Sequence, residues 1–362
     1  MRIFVPDMAE LFDWLETSGW KYVVLRNAST FATSYPAPGS KDDVDMLVED
    51  AALGPIKAKY GRVRRRQGVK CDFYDVSGTG EGTYCGEAYY PRALAELMLS
   101  EREPFKGRFQ VAAPKGYLYG LIYHIAYQKA ERSKIDREDP ANSGGSKYVP
   151  ELIDLMARSG ITLPLTLTAF DDELHRVGLQ PTYRQLAAIL TNDFARDVKS
   201  RFLAEVADRL PGEMNLFVIR KIALRKGLVE AMAERIRAHY EVIAETDIPW
   251  LTQLKTSKRM RGGKWRRGGH PVRAMVVYDP APIPTSEAER KVHPFVFNGR
   301  QFMKRGLRDW FAEATGLDPW HNPLHSTDNE AEAMGHLDLF FTEAEREAVY
   351  DRLAAIRAET AA

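Results

Sequence analysis

The sequence predicts an α+β, multidomain chain, and three observations carry that expectation. Short apolar or alternating runs that read as strands gather toward the two ends of the chain. Between them, from about 111 to 212, apolar residues recur at helical spacing with little strand pattern. A length of 362 residues also exceeds what one hydrophobic core usually organises. The expected division is an α/β domain over 1–110, a helical region over 111–212, and an α+β domain over 213–362.

In the first region PDMAELFDWLETSG reads as a helix, because Met8, Leu11, Phe12 and Leu15 recur at helical spacing. KYVVLRN, VDMLVED and VKCDFYDV read as strands, and a Ser/Pro/Gly-rich loop, STFATSYPAPGS, separates the first two. The helical region opens with the strongly apolar GYLYGLIYHIAYQKAERSK, continues through the loop DREDPANSGGSK, and ends in YVPELIDLMARSG and TYRQLAAILTNDFARDVKSRFLAEVADRL. His124 there reads as a core or interdomain residue, and the aromatic helix around 117–127 as interdomain core or an acceptor groove. PGE at 211–213 marks a boundary. The third region runs strand (NLFVIRKI), helix (GLVEAMAERIRAHY, with Leu228, Met232 and Ile236 on one face), then strands EVIAETDI and AMVVYD. Helices GLRDWFAEATG and EAEAMGHLDLFF follow, an order that predicts the split βαβ arrangement of ferredoxin-like domains. Ser326, Thr327 or Asp328 is the expected cap of the last helix, with Glu330 or Glu332 in its first turn.

Charge excludes little and favours little: 51 basic side chains face 50 acidic ones, so no global field points to nucleic acid or to an anionic membrane. Cys71 and Cys85 fit no zinc pattern and could not staple a chain this long. With no secretory pattern at the start and no apolar run long enough to span a bilayer, a reducing cytoplasm is the expected location.

Residues 214–345 resemble the nucleoside diphosphate kinase family through ordered landmarks. NLFVIRKIALRKGLVEAMAERI resembles the opening strand, loop and helix, and VRAMVVYD the central strand. FNGRQFMKRGLRDWF resembles the segment that carries Thr-Asn-Pro and a Gly-Thr-x-Arg turn, and NPLHSTDNEAEAMGHLDLFF the Asn-x-x-His-Gly-Ser-Asp-Ser loop with its helix. The resemblance implies ATP with Mg2+ as donor (Mn2+ as a substitute), and His325 as a nucleophile that carries the phosphoryl group. It assigns Asn322 and Thr327 to the surrounding site, Arg308 to phosphate binding, Lys221 or Arg220 to charge stabilisation, and Lys291 (or Arg290) and Asn298 to the nucleotide. The chain departs from the family at Arg220-Lys221-Ile222-Ala223, where the family has Lys-Pro-Asp-Gly. It departs also at Ser326 after the histidine, at His336 in place of an orienting acid, and in four extra residues between Arg308 and His325. The basic, glycine-rich run KTSKRMRGGKWRRGG replaces the base-stacking segment, and its Lys264, Arg266 and Arg267 are expected to hold phosphates, with Trp265 on a base or at a lipid interface. These departures redirect the expected acceptor from a nucleoside diphosphate to another small molecule, such as a sugar or lipid hydroxyl, the latter with peripheral membrane contact.

In the first region Asp43 and Asp45 alternate on a strand and share a face, and Asp72 on a later strand is placed to join them. Three such carboxylates suit one or two Mg2+ ions. The pattern resembles the nucleotidyltransferase superfamily, and more distantly proteins of bacterial surface-polysaccharide synthesis, although Arg26-Asn27 stands where that superfamily has Gly-Ser. The sequence thus predicts an ATP-dependent phosphotransferase. The alternatives are a metal-dependent nucleotidyl- or phospho-sugar transferase at Asp43, Asp45 and Asp72, and a nucleotide-binding scaffold without turnover.

Overall fold

A computed structural model describes residues 1–191, 200–249 and 267–361. The chain forms two compact units, Met1–Ile189 and Leu190–Ala362, where the sequence divided it into three regions. The physical reason is that the first helical segments share the core of the N-terminal sheet, while the last of them belongs with the C-terminal sheet.

In the first unit four strands, β1 (Arg2–Val5), β2 (Tyr22–Val24), β3 (Asp43–Val48) and β4 (Val69–Tyr74), lie in the order β1-β4-β3-β2. The pair β3–β4 is parallel and both flanking pairs are antiparallel. Helix α1 (Met8–Ser18) starts where Asp7 accepts from the Ala9 and Glu10 amides and stops at Gly19, whose φ of 74° suits glycine. It buries Met8, Leu11, Phe12 and Leu15, the stripe its spacing predicted. Short α2 (Ala28–Phe31) and α3 (Leu53–Tyr60) follow, then α4 (Arg92–Ser100). A hairpin of β5 (Arg102–Phe105) and β6 (Phe109–Ala112) was not foreseen. It joins the sheet's core through Phe109, 5.2 Å from the Phe12 ring, and through Gln110 N, which donates to Tyr22 OH.

Helix α5 (Pro114–Tyr123) packs on α4 so closely that a Cβ on Gly120 would lie 2.8 Å from Met98 Cε. The predicted long helix does not stay regular. It widens into a π turn over His124–Lys129 and then tightens into a 3-10 turn over Ala130–Ser133. Three further helices follow, α6 (Val149–Ser159), α7 (Leu167–Arg176) and α8 (Tyr183–Thr191); the helical pattern expected from Asn192 to Lys199 lies outside the described residues.

The second unit begins with α9 (Arg201–Asp208) and a four-stranded antiparallel sheet: β7 (Glu213–Arg220), β8 (Glu241–Asp247), β9 (Pro271–Asp279) and β10 (Leu324–Ser326), in the order β10-β7-β9-β8. Helices α10 (Lys221–Arg225) and α11 (Val229–Arg237) follow β7, and α12 (Glu287–Val292) and α13 (Met303–Thr315) follow β9. With β7, β8, β9 and β10 as the strands and α11 and α13 as the crossing helices, this is the βαββαβ order expected. Phe217, Ile219, Met275, Val277 and Leu324 pack with Met232, Ile236, Leu307 and Phe311 in one core. The whole of β7 is buried, because α14 (Glu330–Leu337) covers it as well and α9 packs on α14. A long closing helix, α15 (Glu343–Ala361), was not foreseen.

Two local expectations need correction. LHS of NPLHSTDN is a strand, not loop, because it pairs with Phe217–Ile219 on β7. The cap of α14 is Asn329, whose side chain accepts from Glu332 N at 2.9 Å, rather than Ser326, Thr327 or Asp328. Those three residues are drawn toward β7 and α13 instead.

Candidate functional sites

In the second unit His325 sits on edge strand β10, opposite Val218, and is 8% exposed. Arg220, two residues further along β7, is buried, and its amide donates to Pro323 O at 2.8 Å. Arg308 reaches the same strand from α13, its Nη2 donating to Leu324 O at 3.1 Å, beside the histidine. Burial and then the charge of Arg308 lower Arg220 to about 10. Burial and then Arg305 lower Arg308, against Asp328 and Asp309. Two guanidinium groups, both opposed by burial, thus lie close to the histidine's strand and to each other.

The end of β7 is braced by residues 268–270. Lys221 N donates to His270 O at 2.8 Å, Ile222 N to Gly268 O at 2.9 Å, and Asn322 N to Arg267 O at 2.8 Å. Gly268 is required by closeness, since a Cβ there would fall 1.8 Å from Asn322 O and 2.9 Å from Arg220 Cδ. Asn322 itself turns inward, its side-chain oxygen accepting from Leu324 N at 3.2 Å. Arg267 faces solvent near the Trp320 ring, at 5.6 Å. Lys264 and Arg266 lie outside the described residues.

Three residues assigned to the site are placed differently. Thr327 Oγ1 accepts from Leu216 N and donates to Asn215 Oδ1, both at 3.0 Å, so its hydroxyl fastens β10 to β7. Asn298 donates to Asp279 and accepts from Ile283 N and Arg300 N, which ties its amide into the fold. Lys291 is exposed on α12, which approaches α13 where Arg305 Nη2 donates to His293 Nε2 at 2.7 Å. Two residues went unread in the sequence. Lys304 stands one turn before Arg308 on α13 and binds Asp328 Oδ1 at 3.0 Å, and the i, i+4 spacing was the available signal. Ser326, read as a candidate cap and as a replacement for glycine but not as a site residue, has a buried hydroxyl with no hydrogen-bond partner among the described residues.

In the first unit the parallel register sets Asp45 opposite Asp72 and Asp43 opposite Lys70. Carboxylate oxygens of Asp43, Asp45 and Asp72 all lie within 4.8 Å of one another, as the alternation predicts. Each already has a cation: Arg2 grips Asp72 with two 2.7 Å bonds, Lys70 meets Asp43 at 2.8 Å, and Arg26 pairs with Asp45. Burial raises the Asp45 carboxyl, Arg26 opposes that, and the charges of Asp43 and Asp72 add to it. A hard divalent cation fits this set, which offers oxygen donors alone and mutual repulsion for it to relieve. His124 is buried, as read, and not beside the carboxylates but bonded to Tyr89 and Tyr148.

No helix of the described residues is long and apolar enough to cross a membrane. No protein-family profile and no curated protein matches the chain. Solved structures do. The nucleoside diphosphate kinase of Aquifex aeolicus is 21% identical, over 37% of this chain and 98% of that one, with a TM-score of 0.24. That of Borrelia burgdorferi, solved as a transition-state mimic with vanadate and ADP, is 18% identical over 37% of this chain and 90% of that one, with a TM-score of 0.23.

Proposed function

We propose that the second unit transfers a phosphoryl group from ATP, through His325, to a hydroxyl of a small molecule, sugar or lipid. The carrying observation is the pair of arginines, Arg220 from β7 and Arg308 from α13, that meet beside the strand bearing the histidine. An imidazole nitrogen of His325 attacks the γ-phosphorus, the bond to the β–γ bridging oxygen breaks, and ADP leaves with the metal that accompanied ATP. The phosphohistidine then passes its phosphoryl group to the acceptor oxygen, whose proton is released to solvent. Such a transfer needs positioning and positive charge more than covalent assistance, which is the role given to Arg220, Arg308 and Lys221. Arg267, exposed and near the Trp320 ring, is assigned to the outer phosphates.

The deciding experiment incubates the pure chain with γ-labelled ATP and Mg2+. Protein-bound label that survives base, is lost in acid and is missing from His325→Ala is expected. ATP binding without label on either protein would favour the scaffold.

The three clustered carboxylates support a second reading, nucleotidyl or phospho-sugar transfer in the first unit. Asp43, Asp45 and Asp72 would hold Mg2+, which would activate an attacking hydroxyl and neutralise phosphate charge. Arg2, Arg26 and Lys70 keep the carboxylates paired and folded before the ion arrives. Mg2+ is expected to raise the thermal midpoint of wild type and not of Asp45→Asn, and transfer of α-label from ATP would point to this site.

A further inference from the structure

We propose that Trp320 is the base platform of the second unit: its indole stacks on the base of the donor nucleotide, so that the site prefers a purine nucleoside triphosphate to a pyrimidine one or to triphosphate alone. The role rests on the phosphoryl-transfer reading of His325, Arg220 and Arg308 and supplies a contact for the part of the donor which that reading leaves unmatched. Trp265, the residue the sequence suggested for a base, lies outside the described residues, and Trp320 stands in no motif that marked it.

Trp320 sits between α13 and β10 on a turn fastened at both ends. Helix α13 stops at Gly316, which holds φ 66° and donates its N–H to Ala312 O at 2.9 Å. Leu317 packs against the core of the unit. Asp318 then folds the chain back on itself. Its carboxylate accepts from Trp320 N at 2.6 Å, and its carbonyl accepts from His321 N at 2.9 Å, with Pro319 between them. At the far end Asn322 N donates to Arg267 O at 2.8 Å.

On this held turn the indole is 50% exposed, one of the few large apolar side chains so exposed among the described residues. Its neighbours brace it. The His321 ring meets it edge-on, with centroids 5.4 Å apart and planes at 89°, and the Arg267 guanidinium lies over it at 5.6 Å. A flat apolar ring already ordered by its turn pays little to receive another flat ring, and a nucleobase has a π face to offer.

Position makes the base the fitting occupant. A Cβ on Gly268 would fall 2.9 Å from Arg220 Cδ and 1.8 Å from Asn322 O, so residue 268 is wedged between the strand-end arginine and the Trp320 turn. Arg267 precedes it and carries the guanidinium that lies over the indole. From β7 outward the order is Arg220, Gly268, Arg267, Trp320. An extended nucleotide presents its γ-phosphate, its remaining phosphates and its base in the same order. A π face reads ring area rather than hydrogen-bonding groups, so adenine and guanine are equivalent to it and the smaller pyrimidines are weaker partners.

The test labels the full chain with tracer amounts of γ-labelled ATP and Mg2+, then measures the concentration of unlabelled ATP, GTP, CTP or inorganic triphosphate that halves the label on His325. In wild type ATP and GTP are expected to compete alike, and both better than CTP or triphosphate. With Trp320→Ala the ATP requirement should rise by about tenfold or more, the worth of one base–aromatic stack, while the triphosphate requirement stays the same. Trp320→Phe should recover most of the loss, and label at saturating ATP should persist in both variants, because the indole touches no phosphate. Label on His325 with ATP and triphosphate competing equally in wild type, or with ATP unaffected by Trp320→Ala, overturns the platform and leaves the phosphoryl site standing. Equal weakening of ATP and triphosphate by Trp320→Ala also overturns it, since the residue would then shape the phosphate end. Absence of label from wild type removes the phosphoryl-transfer reading and the platform together.

Discussion

Thr327 and Leu216 bind each other twice: the Thr327 amide donates to Leu216 O at 3.0 Å, and the Leu216 amide donates to the threonine hydroxyl at 3.0 Å. The hydroxyl then passes its proton to Asn215, so the residue after Ser326 is clamped to the centre of the sheet. Thr327→Val keeps the shape and leaves Leu216 N–H and Asn215 Oδ1 unsatisfied in a site of no exposure. We expect a loss of about 2–4 kcal/mol in urea unfolding, and near-native stability for Thr327→Ser. Wild-type stability with lost phosphoryl transfer would instead place the hydroxyl in the chemistry.

Arg308 tests the anion site from the other side. Arg308→Ala removes a half-buried cation whose charge bears on Arg220, so the protein alone should lose little stability or gain some. Nucleotide affinity should fall by about 10- to 100-fold, the worth of a charge-assisted bond. Arg308→Lys should recover only part of it, since an ammonium lacks the planar fork. A thermal shift assay with ATP reads both effects, and an undiminished shift in Arg308→Ala would remove the arginine from the site.

Much of this architecture was legible in the sequence. Met8, Leu11, Phe12 and Leu15 sit inward because helical periodicity reports burial directly, and Asp43, Asp45 and Asp72 meet because strand alternation fixes faces. Asn329 was missed as the cap because Ser, Thr, Asp and Asn stand in succession, and only the pairing of β10 with β7 decides which one is left at the helix start. The internal bonds of Asn298 were not legible, because an amide that binds Asp279 and two backbone amides looks, in sequence, like one that binds a ligand. The π turn at His124 and the hairpin at 102–112 carry no periodic signal, since tertiary contacts with Tyr89, Tyr22 and Phe12 select them.

Gly268 joins the segment before β9 to the site, and Gly268→Ala is the sharpest steric probe of that join. Its Cβ would meet a backbone oxygen, Asn322 O, that cannot rotate away. Residues 267–270 would have to shift, freeing Lys221 N and Ile222 N from their carbonyls. We expect phosphoryl transfer to drop more than tenfold, on the scale of about 1.4 kcal/mol or more, while the far end of the sheet stays folded. Hydrogen exchange should rise at Lys221, Ile222 and Asn322 and hold at Met214. Unchanged exchange at those three amides would contradict the bracing role.

Glu213 gives the second unit a pH dependence of known sign. The carboxyl is 3% exposed at the start of β7, opposite Asp279 in register, and burial first, with the charges of Glu330 and Asp208 adding to it, raises it to about 8, the nearby Asn298 and Asn215 amides opposing the shift. Asp208, raised to about 6 by burial and then by Glu330 and Glu205, finishes titrating lower. Between pH 6 and 8 the native state keeps the Glu213 proton, whereas the unfolded chain gave it up near the ordinary value of about 4.3. The folded state therefore binds more protons, and this residue's contribution to stability falls as pH rises, by up to about 1.4 kcal/mol per unit. Glu213→Gln cannot release a proton and should be flatter across that window and more stable than wild type at pH 8. Urea unfolding of both proteins at pH 6, 7 and 8 measures the difference directly. A gap that stays constant over the three values would mean that the buried carboxyl is already ionised at pH 6.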